Sequence, residues 1–162
     1  MGTVNYTGYD QGSGTDPTNV LTDTGTGIPH GITSKLGIRK VRVDCSKDGI
    51  TGAAADVYEA IYMKAGEKCL GAWMDCITVE STAPTATAAL GVTGGLTGGF
   101  VTAVVMTSVG LKTVHSKTDA ASYWADGGYV AVTADTIDIL VAVAGFTELV
   151  VDVYALILDM NG

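Results

Sequence analysis

The amino-acid sequence predicts an all-β protein: a β-sandwich of jelly-roll-like build, preceded by an extended arm. Three observations carry this. Residues 35–162 hold eight or nine short runs rich in strand-forming residues, separated by Gly-rich turns. Helix candidates are few and short, at 53–57 and at 117–125 with Ser116 or Thr118 as a cap. Residues 1–34 sustain neither period, holding 7 Gly, 8 Thr and three Asp with no Lys or Arg. The predicted division is therefore an arm, 1–34, and a β-sandwich domain, 35–162. A jelly roll is the commonest closed solution for that many short strands.

The apolar residues of the arm are isolated; they read either as those of a solvated tail or, with Tyr6, Tyr9, Leu21 and Ile28 as spaced anchors, as those of a segment lying along a neighbouring subunit. Fully stretched, the arm reaches roughly 110 Å at about 3.3 Å per residue. Arg39–Cys45 then alternates, with Val41, Val43 and Cys45 on one side and Lys40, Arg42 and Asp44 on the other. That is a half-buried strand. Val57–Met63 is rich in strand formers, and Lys64-Ala65-Gly66-Glu67 follows as a tight turn. In Lys68–Glu80 the residues Trp73, Ile77 and Val79 share a parity, which points Trp73 to the core. Ala86–Val92 and Phe100–Met106 flank a glycine loop, and Tyr129–Thr133 precedes a run in which Ile137, Ile139, Val141 and Val143 alternate. The run Glu148–Met160 is apolar in both parities from Val153 to Leu158. A strand of that kind lies between two layers or meets another subunit.

Composition narrows the function classes. The 162 residues include 22 Gly, 22 Thr and 19 Ala; only 16% are charged and 47% are hydrophobic, which excludes a charge-driven disordered chain. Three Pro and no G-X-Y or heptad repeat exclude collagen and coiled coil. A net charge of −8 argues against nucleic acid as a partner, because that binding needs a basic footprint. Cys45, Cys69 and Cys76 are odd in number and lack metal-ligand spacing, so they read as buried thiols made in a reducing cytoplasm. No basic-then-apolar leader is present, and Gly and Thr interrupt the apolar stretch 88–106, so neither a signal peptide nor a membrane span is expected.

No catalytic, cofactor-binding or metal-binding residues emerge, and the chain reads as a non-enzyme without a cofactor. His30 and His115 have no partner nearby in sequence. The loop Gly91–Gly99 lacks the lysine and the following helix of a phosphate cradle. Asp135 with Asp138, or Asp126 beside two glycines, offers too few oxygens for calcium. The one cluster of charge is Lys35–Lys47, where Arg39, Lys40 and Arg42 form a candidate basic docking patch in an otherwise acidic chain. An edge strand charged against aggregation would look the same. Tyr123-Trp124, in a predicted loop, is the candidate for an exposed aromatic platform.

The order of features through Trp73-Met74-Asp75-Cys76-Ile77, Thr85–Val92, the Gly-rich segment with Phe100, Tyr129–Asp138 and Val153–Asp159 resembles the small virion structural proteins of tailed bacteriophages. Several of these are head decoration, or cement, proteins. The resemblance spans roughly residues 36–160. It implies a β-rich subunit on the capsid surface of the virion, a homo-oligomer and often a trimer, that binds the major capsid protein and stabilises the shell. A minor tail or fibre component with a receptor- or glycan-binding sandwich is the alternative, since such proteins share the composition.

Overall fold

A strand with Val41 and Val43 on one side and cations on the other has to lie with one face on a core. In the computed structural model it does so as one of ten strands. The structure describes residues 3–5, 35–47, 53–113 and 122–160. The strands are β1 (Thr3–Asn5), β2 (Lys35–Asp44), β3 (Val57–Met63), β4 (Glu67–Thr78), β5 (Thr87–Gly91), β6 (Val101–Val105), β7 (Gly110–Lys112), β8 (Tyr129–Val130), β9 (Asp135–Val143) and β10 (Val150–Asp159). They form two sheets, β1-β3-β9-β5-β6 and β2-β10-β4-β7, with β8 paired to β4. All pairings are antiparallel except β1 with β3, which is parallel. The architecture is an all-β sandwich. Setting aside the short β8, the chain changes sheet at every step from β2 to β10 except the β5–β6 hairpin.

The core lies between the inner faces. The β9 sheet contributes Tyr58, Ile61, Met63, Leu90, Ile137, Ile139 and Val141, and the β10 sheet contributes Val43, Met74, Cys76, Val151, Val153 and Ile157, all buried. At the centre the small side chains of Ala72 and Ala155 sit directly opposite each other in the ladder, both fully buried. The large side chains of Phe100, Phe146 and Met106 are buried in the same core.

Two sequence expectations are corrected. Among the described residues there is no helix: 53–56 form a turn in which the Asp56 N–H donates to the Ala53 carbonyl, and Val57 already belongs to β3. Residues 122–126 form another turn, closed from Ala125 N–H to the Ser122 carbonyl, while 117–121 lie outside the described residues. Trp73 stands on the outer face of β4, because Ala72, Met74 and Cys76 take the inner one. Both parities of that run carry apolar residues, so alternation alone could not choose between them. The turn at 64–67 forms as its residues require, with Gly66 at φ 81° and the Glu67 N–H donating to the Lys64 carbonyl. Only one face of the two-faced apolar run is fully covered: Val153, Ala155 and Ile157 are buried, while Tyr154, Leu156 and Leu158 on the other face are half-buried, and β10 is hydrogen-bonded to β2 along one edge and to β4 along the other.

Candidate docking surface

The residues of the predicted basic patch separate. β2 alternates, so Arg39 shares the inner side with Val41 and Val43, while Lys40 and Arg42 project outward. Arg39 closes one end of the sandwich. Its guanidinium donates to both carboxylate oxygens of Glu67, at 2.7 Å for Oε2, and to the Tyr62 carbonyl at 2.6 Å. Glu67 is buried, and its Oε2 also accepts the Lys64 N–H at 2.7 Å, so one carboxylate holds the β3–β4 turn and the edge strand together.

On the outer face Lys40 and Arg42 converge on Asp152 of the neighbouring β10. Lys40 Nζ lies 2.7 Å from Oδ2, and Arg42 donates Nε to Oδ1 at 2.6 Å and Nη2 to Oδ2 at 2.8 Å. The Arg42 hydrogen bonds, with help from Lys40, hold the Asp152 carboxyl below its ordinary range despite its burial. The hydrogen bond to Asp152 in turn raises the Lys40 ammonium. One row further along, Trp73 and Tyr154 are ladder partners and stack with ring centroids 5.7 Å apart and planes 8° from parallel. The Lys40 ammonium covers the Tyr154 ring at 5.2 Å. The outer face is thus a set of cross-strand ladders whose charges largely satisfy one another. Exposed apolar residues border it, with Ile38 on β2, Ile77 on β4 and Leu111 on β7.

The other candidate residues are structural. Tyr123 is buried; its hydroxyl accepts the Leu96 N–H at 2.8 Å and its ring packs on Phe100. Trp124 donates Nε1–H to the Phe100 carbonyl at 2.8 Å, and its ring fills the space a side chain at Gly71 would need. Tyr123-Trp124 therefore anchors a loop and presents no platform. The glycine loop folds onto itself: a Cβ on Gly91 would stand 2.0 Å from the Leu96 carbonyl oxygen. Asp135 Oδ2 accepts the Tyr129 hydroxyl, and Asp138, pushed up by burial, accepts the Thr93 N–H at 2.8 Å. Among the described residues no group of three His, Cys, Asp or Glu is placed to hold a metal. Burial raises the Cys69 thiol to about 12 and raises that of Cys76. Tyr6, Tyr9, Leu21 and Ile28 lie outside the described residues.

Sequence reasoning missed the buried acids. Glu80 is fully buried and joins two loops: Oε1 accepts the Thr82 N–H at 3.1 Å, and Oε2 accepts the N–H groups of Thr147 at 2.6 Å and Glu148 at 3.0 Å. Burial alone would raise its carboxyl, but the hydrogen bonds from Glu148, Thr82 and Thr147 outweigh that and bring it down to about 2. Its partners in the second loop lie 67 and 68 positions away, so no local pattern signals it.

Comparison with known proteins places the fold. No family model and no curated protein sequence matches the chain. A chain in the capsid of Ralstonia phage GP4 superposes with a TM-score of 0.56 and 15% identity, covering 82% of this chain and 88% of that one. A chain in the cyanophage Pam1 capsid asymmetric unit matches with a TM-score of 0.47 and 18% identity over 89% and 99%. One in the acidic stable capsid of Helicobacter pylori bacteriophage KHP30 matches at 0.43 and 11% over 77% and 86%. The first shares the fold.

Proposed function

We propose that this chain is a structural subunit of a tailed-phage virion, a head decoration protein that docks on the major capsid protein and stabilises the shell. The observation that carries the reading is the fold shared with a phage-capsid chain across most of both molecules. We also read the strand orders β2-β10-β4-β7 and β3-β9-β5-β6 as those of a jelly roll, with β1 and β8 added to it. The titratable side chains described above serve turns and ladders, as in a subunit whose work is to keep its shape. The fibre-tip alternative has less support, because Tyr123 is buried, Trp124 is half-buried against the core, and the facing ring surfaces of Trp73 and Tyr154 are taken by each other.

In this reading self-association, as a trimer, and contacts of the 1–34 arm supply avidity at symmetric sites. Arg39 and Arg42 on β2 contribute to orientation more than to attraction, since Glu67 and Asp152 already neutralise them. Electron microscopy of intact particles is the test. Density for this fold on the outer head surface supports the proposal, as does loss of heat resistance in heads stripped of the protein. Density on the tail, or stripped heads as stable as intact ones, overturns it.

A further inference from the structure

The pairing of β1 with β3 raises a question of length. Thr3–Asn5 lies parallel to Val57–Glu59, so the chain leaves Asn5 heading toward Met63 and the 64–67 turn. β2 starts at that same end: Lys35 pairs with Asp159, and Asp159 pairs on its other side with Glu67. Arg39, reaching from β2 to the Tyr62 carbonyl, shows how near the two strands are there. From Glu59 to Met63 is about 13 Å along a strand, and the sheets are about 10 Å apart. Roughly eight extended residues would bridge that. The connector is residues 6–34, several times more than closure within one chain requires. At about 3.3 Å per residue its full reach is roughly 100 Å.

We propose that the edge of β3 at Val57–Glu59 is a strand-acceptor site whose occupant in the assembly is the Thr3–Asn5 segment of a second copy. The backbone pairing is the same whether the strand comes from its own chain or from a neighbour, so exchange loses no ladder bonds. Only three residue pairs hold the strand, which makes opening cheap. Which copy fills the slot is then set by effective concentration, and a neighbour fixed alongside competes well once the connector reaches it. This deepens the reading above and rests on it only in that copies sit side by side.

The test uses full-length chains. Asn5→Cys and Glu59→Cys, in differently tagged copies, are mixed at high concentration in solution and on heads, oxidised, and alkylated before denaturation. The three native cysteines are buried and do not compete under these conditions. Exchange gives a mixed cross-linked pair, and the Asn5→Cys/Glu59→Cys double variant gives covalently linked copies. Deleting residues 10–29 leaves nine connector residues, so the double variant should close within one chain and cross-linking between copies should fall at least tenfold. A full-length double variant that closes only on itself, or forms no disulfide at all, overturns the proposal. Either result leaves the head-stability experiment, and with it the decoration reading, untouched.

Discussion

Arg39 and Glu67 form a two-pronged pair at the end of the sandwich, with the carboxylate buried and the guanidinium about a quarter exposed. Arg39→Ala would strand a buried charge and release the Tyr62 carbonyl, at a cost of about 3 kcal/mol. Arg39→Lys should recover only part of this, because an ammonium cannot reproduce the fork. Urea unfolding checks it: both variants lower the midpoint at unchanged slope, alanine more than lysine.

The outer-face cluster behaves differently, because Asp152 has two cations. Removing either Lys40 or Arg42 leaves the other in place, so each alanine variant should shift the midpoint only slightly, as exposed pairs do. The double variant should lose more than the sum of the two singles. Asp152→Asn should cost about 2 kcal/mol, below the range for deeply buried pairs because both cations reach in from solvent. An additive double variant would show that the cations act separately.

Glu80 sets an acid limit. Its folded carboxyl is depressed to about 2 from an ordinary value of 4.5, so its contribution to stability is complete above about pH 4.5 and is lost as pH falls toward 2. Glu80→Gln should destabilise by about 1.5–3 kcal/mol at neutral pH, by replacing a charged acceptor that takes several N–H donors. Its stability should then fall less steeply than that of the parent between pH 4.5 and 2. Thermal unfolding across that window measures both effects.

Within one loop, two glycines should lose stability to different extents and for different reasons. Gly91→Ala drives a methyl into the Leu96 carbonyl and should cost about 3 kcal/mol. Gly94→Ala meets nothing within 4 Å and bears only the strain of φ +85°, about 1 kcal/mol. Comparing their melting temperatures separates packing from backbone strain. A larger loss at Gly94 would contradict the closed loop.

Much of this architecture was legible in the sequence, and the exceptions share a cause. Period-two alternation placed Val41 and Val43 inside and Gly66 marked its turn, whereas the two-faced run at Val153–Leu158 has only one face fully buried. Where both parities were apolar, as around Trp73, alternation carried no sign, and the strand turns Ala72, Met74 and Cys76 inward instead. The short helical pattern at 53–57 lost to a turn because its residues are needed to enter β3, and 122–125 turn to seat Trp124. The buried acids were invisible because each finds at least some of its partners far along the chain, 28 positions away for Glu67 and 110 for Asp152. The basic residues were visible as a cluster, but their neutralisation was not.

The place of β10 governs when the molecule can form. Residues 150–159 sit between β2 and β4 and give each its hydrogen-bonded neighbour along nearly its whole length. During synthesis those two strands emerge long before their partner. Until residue 159 has been made, the sheet exists only as separated pieces with open edges, the state most prone to wrong pairing. Folding is therefore held back to the end of translation of this region, and nascent chains stalled before Val150 should need a chaperone to stay soluble.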